Sequence, residues 1–240
     1  MKKIILITLS AFAMSCTGII GNGFKISGEI KGLADGTNVF LEKQNKSSAS
    51  GIIAVDTAIV KDGKFTFEGK IDEPEIHNVR FDKTQGGFIV ILEKGNMKVV
   101  VNKDSIMAAI ASGTYNNDEM IKYNSVMMKI QKRMMAFQNT NMQAMQVASE
   151  KKDTVVINKL RKEYTGFQEE FTNANYKYIE GNPKSFISVL LIEGMFNETP
   201  PKVDKIKKYF EALDTDVKNT KPGKEIAKKL AGEKKSNLTK

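Results

Sequence analysis

The chain has 240 residues, 41% hydrophobic and 27% charged, so it can bury one generous core or two small ones and is too apolar for a disordered polymer. One cysteine, one histidine and no tryptophan exclude an intrachain disulfide, a Cys-x-x-Cys redox pair and a multi-histidine metal site, and leave His77 as the only imidazole for nucleophilic catalysis. The formal charge of +9 comes mostly from lysines after Pro201, while Arg80, Arg133 and Arg161 are the only arginines, a pattern of a solvated basic face and not of a nucleic-acid site.

In chain order, Lys2-Lys3 precede an apolar run too short to span a bilayer, followed by small residues, which is the layout of an export signal over residues 1–15. Cys16, directly after Ala13-Met14-Ser15, resembles the acylated cysteine of a bacterial lipobox, with residues 16–23 as a lipid-anchored linker. Ala11-Phe12-Ala13 also reads as an ordinary cleavage site, which would leave Cys16 unmodified.

From residue 24 to 115 the hydrophobic period is two. The expected strands are 24–30, 38–42, 52–60, 64–69, 76–81, 88–92 and 97–101, with turns at Asp35-Gly36, Lys61-Asp62-Gly63 and Glu93-Lys94-Gly95-Asn96. Asp-Gly between alternating runs is a strong hairpin signal, because both central positions require positive φ. An antiparallel β-sandwich or open barrel of seven or eight strands follows, with His77 expected on a polar strand face.

The period becomes helical in the stretch 116–231. Met120, Tyr123, Val126, Met127, Ile130, Met134, Phe137, Ala144, Met145 and Ala148 fall on one side of a first helix. Val156, Leu160, Tyr164, Phe167, Phe171 and Tyr178 mark a second, antiparallel to it and capped by Asp153. A short apolar helix over 185–195 should be deeply buried, another follows Thr199-Pro200-Pro201, and Pro222-Gly223 should break the pattern before a marginal last turn and a disordered basic tail, 232–240. The expected class is therefore α+β, with an N-terminal β-domain followed by a helical region holding an antiparallel helix pair.

Three stretches carry a resemblance: Gly23-Phe24-Lys25-Ile26-Ser27-Gly28-Glu29-Ile30, then Asp56-Thr57-Ala58-Ile59-Val60-Lys61-Asp62-Gly63-Lys64-Phe65-Thr66-Phe67-Glu68-Gly69, then Ile91-Leu92-Glu93-Lys94-Gly95-Asn96. Together they resemble the domain-of-unknown-function 4369 family, exported N-terminal modules of Bacteroidota. The resemblance implies a helical segment ending near Gly181-Asn182-Pro183-Lys184-Ser185-Phe186, and in longer relatives a thioredoxin-like domain with a Cys-x-x-Cys site. This sequence ends about where such a domain would begin, so redox activity is not expected of it.

No catalytic constellation stands out. Asp56, Asp62 and Glu93 are candidate carboxylates, but turn chemistry accounts for Asp62 and Glu93. Met128, Met135 and Met142 recur every seven residues on a flank of the first helix and are the candidate partner-binding residues. Met142-Gln143-Ala144-Met145 has the M-x-x-M spacing of copper ligands, a less favoured reading, and no resident cofactor or metal is expected. Thr57, Ser105 and Thr154 lie in Asp-Ser/Thr triplets that resemble O-glycosylation acceptors of exported proteins in the same bacteria. The expected role is a lipid-anchored, non-enzymatic envelope module, attached through Cys16 to the outer membrane and facing the periplasm, with an envelope protein as candidate partner and no nucleic acid. The alternative is an accessory subunit of a separate thioredoxin-like oxidoreductase or peroxiredoxin system.

Overall fold

The computed structural model describes residues 23–45 and 51–238, the last of them, 233–238, as backbone alone. The period-two region forms β1 (Gly23–Lys31), β2 (Asn38–Gln44), β3 (Ile52–Ile59), β4 (Lys64–Lys70), β5 (Glu75–Phe81), β6 (Gly87–Leu92), β7 (Gly95–Asn102) and a short β8 (Ile110–Ser112). They make two four-stranded sheets, ordered β4-β1-β7-β8 and β3-β2-β5-β6. Alternate residues of both, among them Ile26, Phe67, Met97 and Val99 against Val39, Leu41, Val79 and Phe81, close one sandwich core.

Three strand expectations need correction. The pairing is not all antiparallel: β1 lies parallel to β7, with Ile26 opposite Met97. At Lys61-Asp62-Gly63 the tight turn forms, with φ of 51° at Asp62 and 68° at Gly63 and reciprocal 2.9 Å bonds between Lys61 and Lys64. It joins strands of opposite sheets, however, because Val60 and Phe65 on either side of it are both needed in the core. The third correction is His77, which is buried and only 3% exposed. It shares the inward parity of Val79 and Phe81, whereas Asn78 and Arg80 take the other face.

The helical region contains α1 (Tyr115–Glu150) and α2 (Thr154–Gly181), an antiparallel hairpin, then α3 (Phe186–Gly194), α4 (Val203–Ala212), α5 (Thr215–Lys218) and α6 (Lys221–Leu238). Asp153 caps α2 through the N–H groups of Val155 and Val156, both at 3.1 Å. Helix α3 is the most apolar and packs against α4, α5 and α6 in a second core built on Val189, Ile192, Ile206 and Ile226. Pro222-Gly223 does not break the chain into a marginal turn. Pro222 lies in the first turn of α6, where its missing N–H is not needed, and helical backbone continues past residue 231 to Leu238. Gly223 is required there, since a Cβ would stand 2.4 Å from the Lys218 carbonyl oxygen.

The α1–α2 hairpin meets the β-domain at the foot of α1, where Asn116 and Asn117 bond Glu93 and Ile91. Beyond it the hairpin is an arm in which Ile130, Ala148 and Leu160 are buried and the Phe137 and Phe167 rings meet at 5.6 Å. Val126 and Ala144, expected in that stripe, are exposed, because one partner helix covers only the middle of an apolar face.

The β1–β4 ladder depends on a missing side chain. Gly28 faces Phe65, and a Cβ on Gly28 would sit 2.0 Å from the Phe65 ring. The variant Gly28→Ala should lose about 1 to 3 kcal/mol of stability through overpacking, read as a lower urea midpoint.

Candidate functional site

At the foot of the arm the end of β6, the start of α1 and the start of α3 meet in a buried polar knot. Glu93, 8% exposed, accepts hydrogen bonds from the backbone N–H of Asn116 at 2.8 Å and of Asn117 at 3.3 Å through one carboxylate oxygen. Its other oxygen accepts from the Asn116 side-chain amide at 2.7 Å. Thr114 supplies no side-chain cap to α1, so Glu93 satisfies the orphan donors and opposes the positive end of the helix from another element. Asn116 Oδ1 accepts from the Phe186 N–H at 2.8 Å, and Asn117 bonds both the N–H and the carbonyl of Ile91, at 3.1 and 2.7 Å. Ile91, Phe186 and Ile187 then pack with Met120, Tyr123 and Tyr178. Burial raises the Tyr178 phenol pKa well above its ordinary value of 10, and its hydroxyl serves as a hydrogen-bonding group between Ser185 and Glu119.

Along the arm the expected methionine flank faces water. Met128, Met135 and Met142 are 65, 52 and 72% exposed, and Ile121, one heptad before, is 38% exposed. Towards the far end Phe137, Met142, Met145, Leu160 and Tyr164 border an apolar groove of about 470 Å³. Met142 and Met145 of the M-x-x-M spacing both lie on this groove.

A groove of about 870 Å³ runs between the β4–β5 loop and the start of α6 and has Asp72, Glu73, Glu75, Lys221 and Lys224 in its lining. Lys221 forms ion pairs there with both Glu73 and Glu75. Burial pushes the Glu75 carboxyl up, but the Lys221 hydrogen bond and the charges of Lys43, Lys221 and His77 outweigh it, so its pKa lies below the ordinary value. For His77 burial is the leading cause and lowers the pKa, against the opposing pull of the Glu75 carbonyl and carboxylate.

The remaining sequence candidates are dispersed. Asp56 caps the N–H of the adjacent Thr57 at 2.7 Å, Asp62 occupies the left-handed corner turn, and Glu93 is committed to the knot. Thr57 lies on the exposed edge strand β3, Ser105 on the 3₁₀ turn Lys103–Ala108 and Thr154 at the start of α2, all exposed. Cys16 lies outside the described residues. Among the described residues no group of three or more His, Cys, Asp or Glu side chains could hold a metal ion, and no helix is long and apolar enough to cross a membrane. The sequence carries one local signal of the knot, Asn116-Asn117 at a helix start, and its partners Glu93 and Phe186 lie far from that pair in the chain.

Residues 24–120 match the family model of the domain of unknown function DUF4369. Over these residues the chain is similar to the DUF4369 domain, and most of the β-sandwich lies within the match. The match ends at Met120 and so takes in Glu93, Asn116 and Asn117, making the helix-capping half of the knot part of the DUF4369 region, while Phe186 lies beyond it. It assigns no activity. No curated protein and no solved structure matches the chain.

Replacing Glu93 by glutamine sets two amide donors against each other at the Asn116 side chain. Glu93→Gln should cost about 1 to 3 kcal/mol and should raise hydrogen exchange in the first turn of α1 while leaving the β2–β5 ladder protected.

The single histidine gives a clean pH test. An unfolded imidazole titrates near its ordinary 6.5, and the folded one lower, so below that pH the unfolded chain binds a proton the folded chain refuses. The His77 contribution is therefore complete above 6.5 and declines as pH falls through the lowered folded pKa, by at most about 1.4 kcal/mol per pH unit. Glu75, whose folded pKa is depressed, loses its contribution only below its ordinary 4.5. Between about pH 7.5 and 5, urea midpoints of the parent should fall and those of His77→Leu should stay nearly level.

Proposed function

We propose that this protein is a lipid-anchored envelope module without catalytic activity of its own, attached through Cys16 and engaging its partner with the helical arm. The observation that carries the reading is the row of Met128, Met135 and Met142, each more than half exposed on a flank of a helix that packs on α2 through a different stripe. The buried stripe of the arm is built on other residues, Ile130, Ala148 and Leu160, and of the row Met142 alone borders the groove beside Leu160 and Tyr164. Flexible thioethers suit a surface that must adapt to what it touches. Attachment rests on the signal-like residues 1–15 and on the position of Cys16 after Ala13-Met14-Ser15. The absence of an acidic export tract after Cys16 favours a periplasm-facing outer-membrane location. The non-enzymatic part is favoured by the engagement of Asp56, Asp62 and Glu93 in backbone geometry and by the single cysteine.

Two measurements test the parts separately. Cys16→Ser should move the protein from the membrane to the soluble periplasmic fraction, because acyl chains supply the stable attachment; a parent protein whose intact mass shows an unmodified Cys16 overturns the anchor. In intact cells a photo-crosslinking side chain in place of Met135 should form adducts that one in place of Glu169, on the exposed side of α2, does not. Equal labelling from both positions overturns the role of the methionine row.

A further inference from the structure

We infer that the row formed by Ile121, Met128, Met135 and Met142 rests on an anionic bilayer surface, so that the arm lies along the membrane instead of projecting into the periplasm. This inference rests on the lipid-anchored reading and makes the bilayer, not an envelope protein, the surface that the row engages.

Charge is the first argument. From residue 120 to 149 the chain contains no acidic residue, and its only charges are Lys122, Lys129, Lys132 and Arg133. Lys122 is held by Glu119 and Arg133 by Glu170, whereas Lys132 stands four residues after Met128 and three before Met135, on the same face as the row. The acidic residues of α1, Asp118, Glu119 and Glu150, stand only at its two ends, whereas along α2 Lys159, Arg161, Lys162 and Lys177 are interspersed with Glu163, Glu169, Glu170 and Glu180. An apolar row flanked only by lysine, on one helix of a pair whose other helix is charge-balanced, is the combination that binds acidic headgroups at an interface.

Reach is the second. Phe24 pairs with Gly95, and Gly95 abuts Thr114, the N-cap of α1, so the chain enters β1 at the foot of the arm. From Gly23 back to Cys16 an extended chain spans at most about 24 Å, while α1, with 36 residues, is about 54 Å long. An acylated Cys16 therefore keeps the foot close to the bilayer, and an arm longer than its tether meets that surface along its length when it tilts. Shape is the third. Of the row, only Met142 borders the apolar groove near the arm's end; the others stand on open helix surface. A flat row on a helix suits a planar, deformable surface better than a single protein knob.

The test uses the acylated full-length protein, whose only cysteine is then blocked, so that Met135→Cys or Met128→Cys introduces a single reactive thiol for an environment-sensitive NBD label. Glu169→Cys is the reference position. On vesicles of phosphatidylcholine with phosphatidylglycerol, the labels at 135 and 128 should shift to shorter wavelength and lose iodide quenching severalfold relative to the label at 169. On phosphatidylcholine alone the difference should shrink. Flotation of the same samples reports the anchor: protein that does not float overturns both readings. Protein that floats with 135 and 128 as quenched as 169 overturns the bilayer contact and leaves the anchor standing. Protection that appears only on adding detergent-solubilised envelope proteins overturns it in favour of a protein partner, and equal protection on both vesicle types overturns the role assigned to the lysines.

Discussion

The buried carboxylate of Glu93 is the constraint around which the molecule is arranged. A carboxylate taken out of water needs near-complete compensation, and two backbone N–H groups at a helix start, one side-chain amide and the helix dipole supply it together. That requirement places the start of α1 against the end of β6. Asn117 reinforces it by bonding both backbone groups of Ile91, and Asn116 extends it to the first N–H of α3. The β-domain, the arm and the second helical core therefore share one joint, and the direction in which the arm leaves the sandwich is set there.

Outside the joint, burial is uneven in a way that bears on function. The sandwich covers two inner faces against each other, and α3 is enclosed by α4, α5 and α6. The arm has no such cover. Two helices can bury only the stripe between them, so Ile130, Ala148 and Leu160 are protected while Met128, Met135 and Met142 remain in water. A second tie, the ion pairs of Lys221 with Glu73 and Glu75, fixes α6 to the β4–β5 loop on the far side of the polar groove. With the helical core held at two places on the sandwich, the long arm is the element left available to an external surface.

The parts of the fold legible in the sequence were those governed by local rules. Strand positions followed from period two, the Asp62-Gly63 turn from its need for positive φ, and the two long helices from period 3.6 with Asp153 as a cap. The methionine flank was less legible, since thioethers at heptad spacing suit a packed core as well as an exposed surface. At His77 strand parity prevails over residue type: the alternation His77, Val79, Phe81 is the inward one, and the polar ring follows it into the core.

By itself, then, the sequence determined which segments extend, which coil and where the chain must turn, since propensity and hydrophobic period act over a few residues. It also confined the chemistry, through one cysteine, one histidine and a lysine-dominated charge. Only the tertiary structure decided that β1 runs parallel to β7, that the 61–63 turn is a corner between sheets, and that Pro222 begins a helix. It alone decided that Glu93 caps a helix 23 residues later in the chain. These outcomes depend on which surfaces share a core and which buried charge meets which helix end, and no local pattern encodes contacts between groups so far apart in sequence.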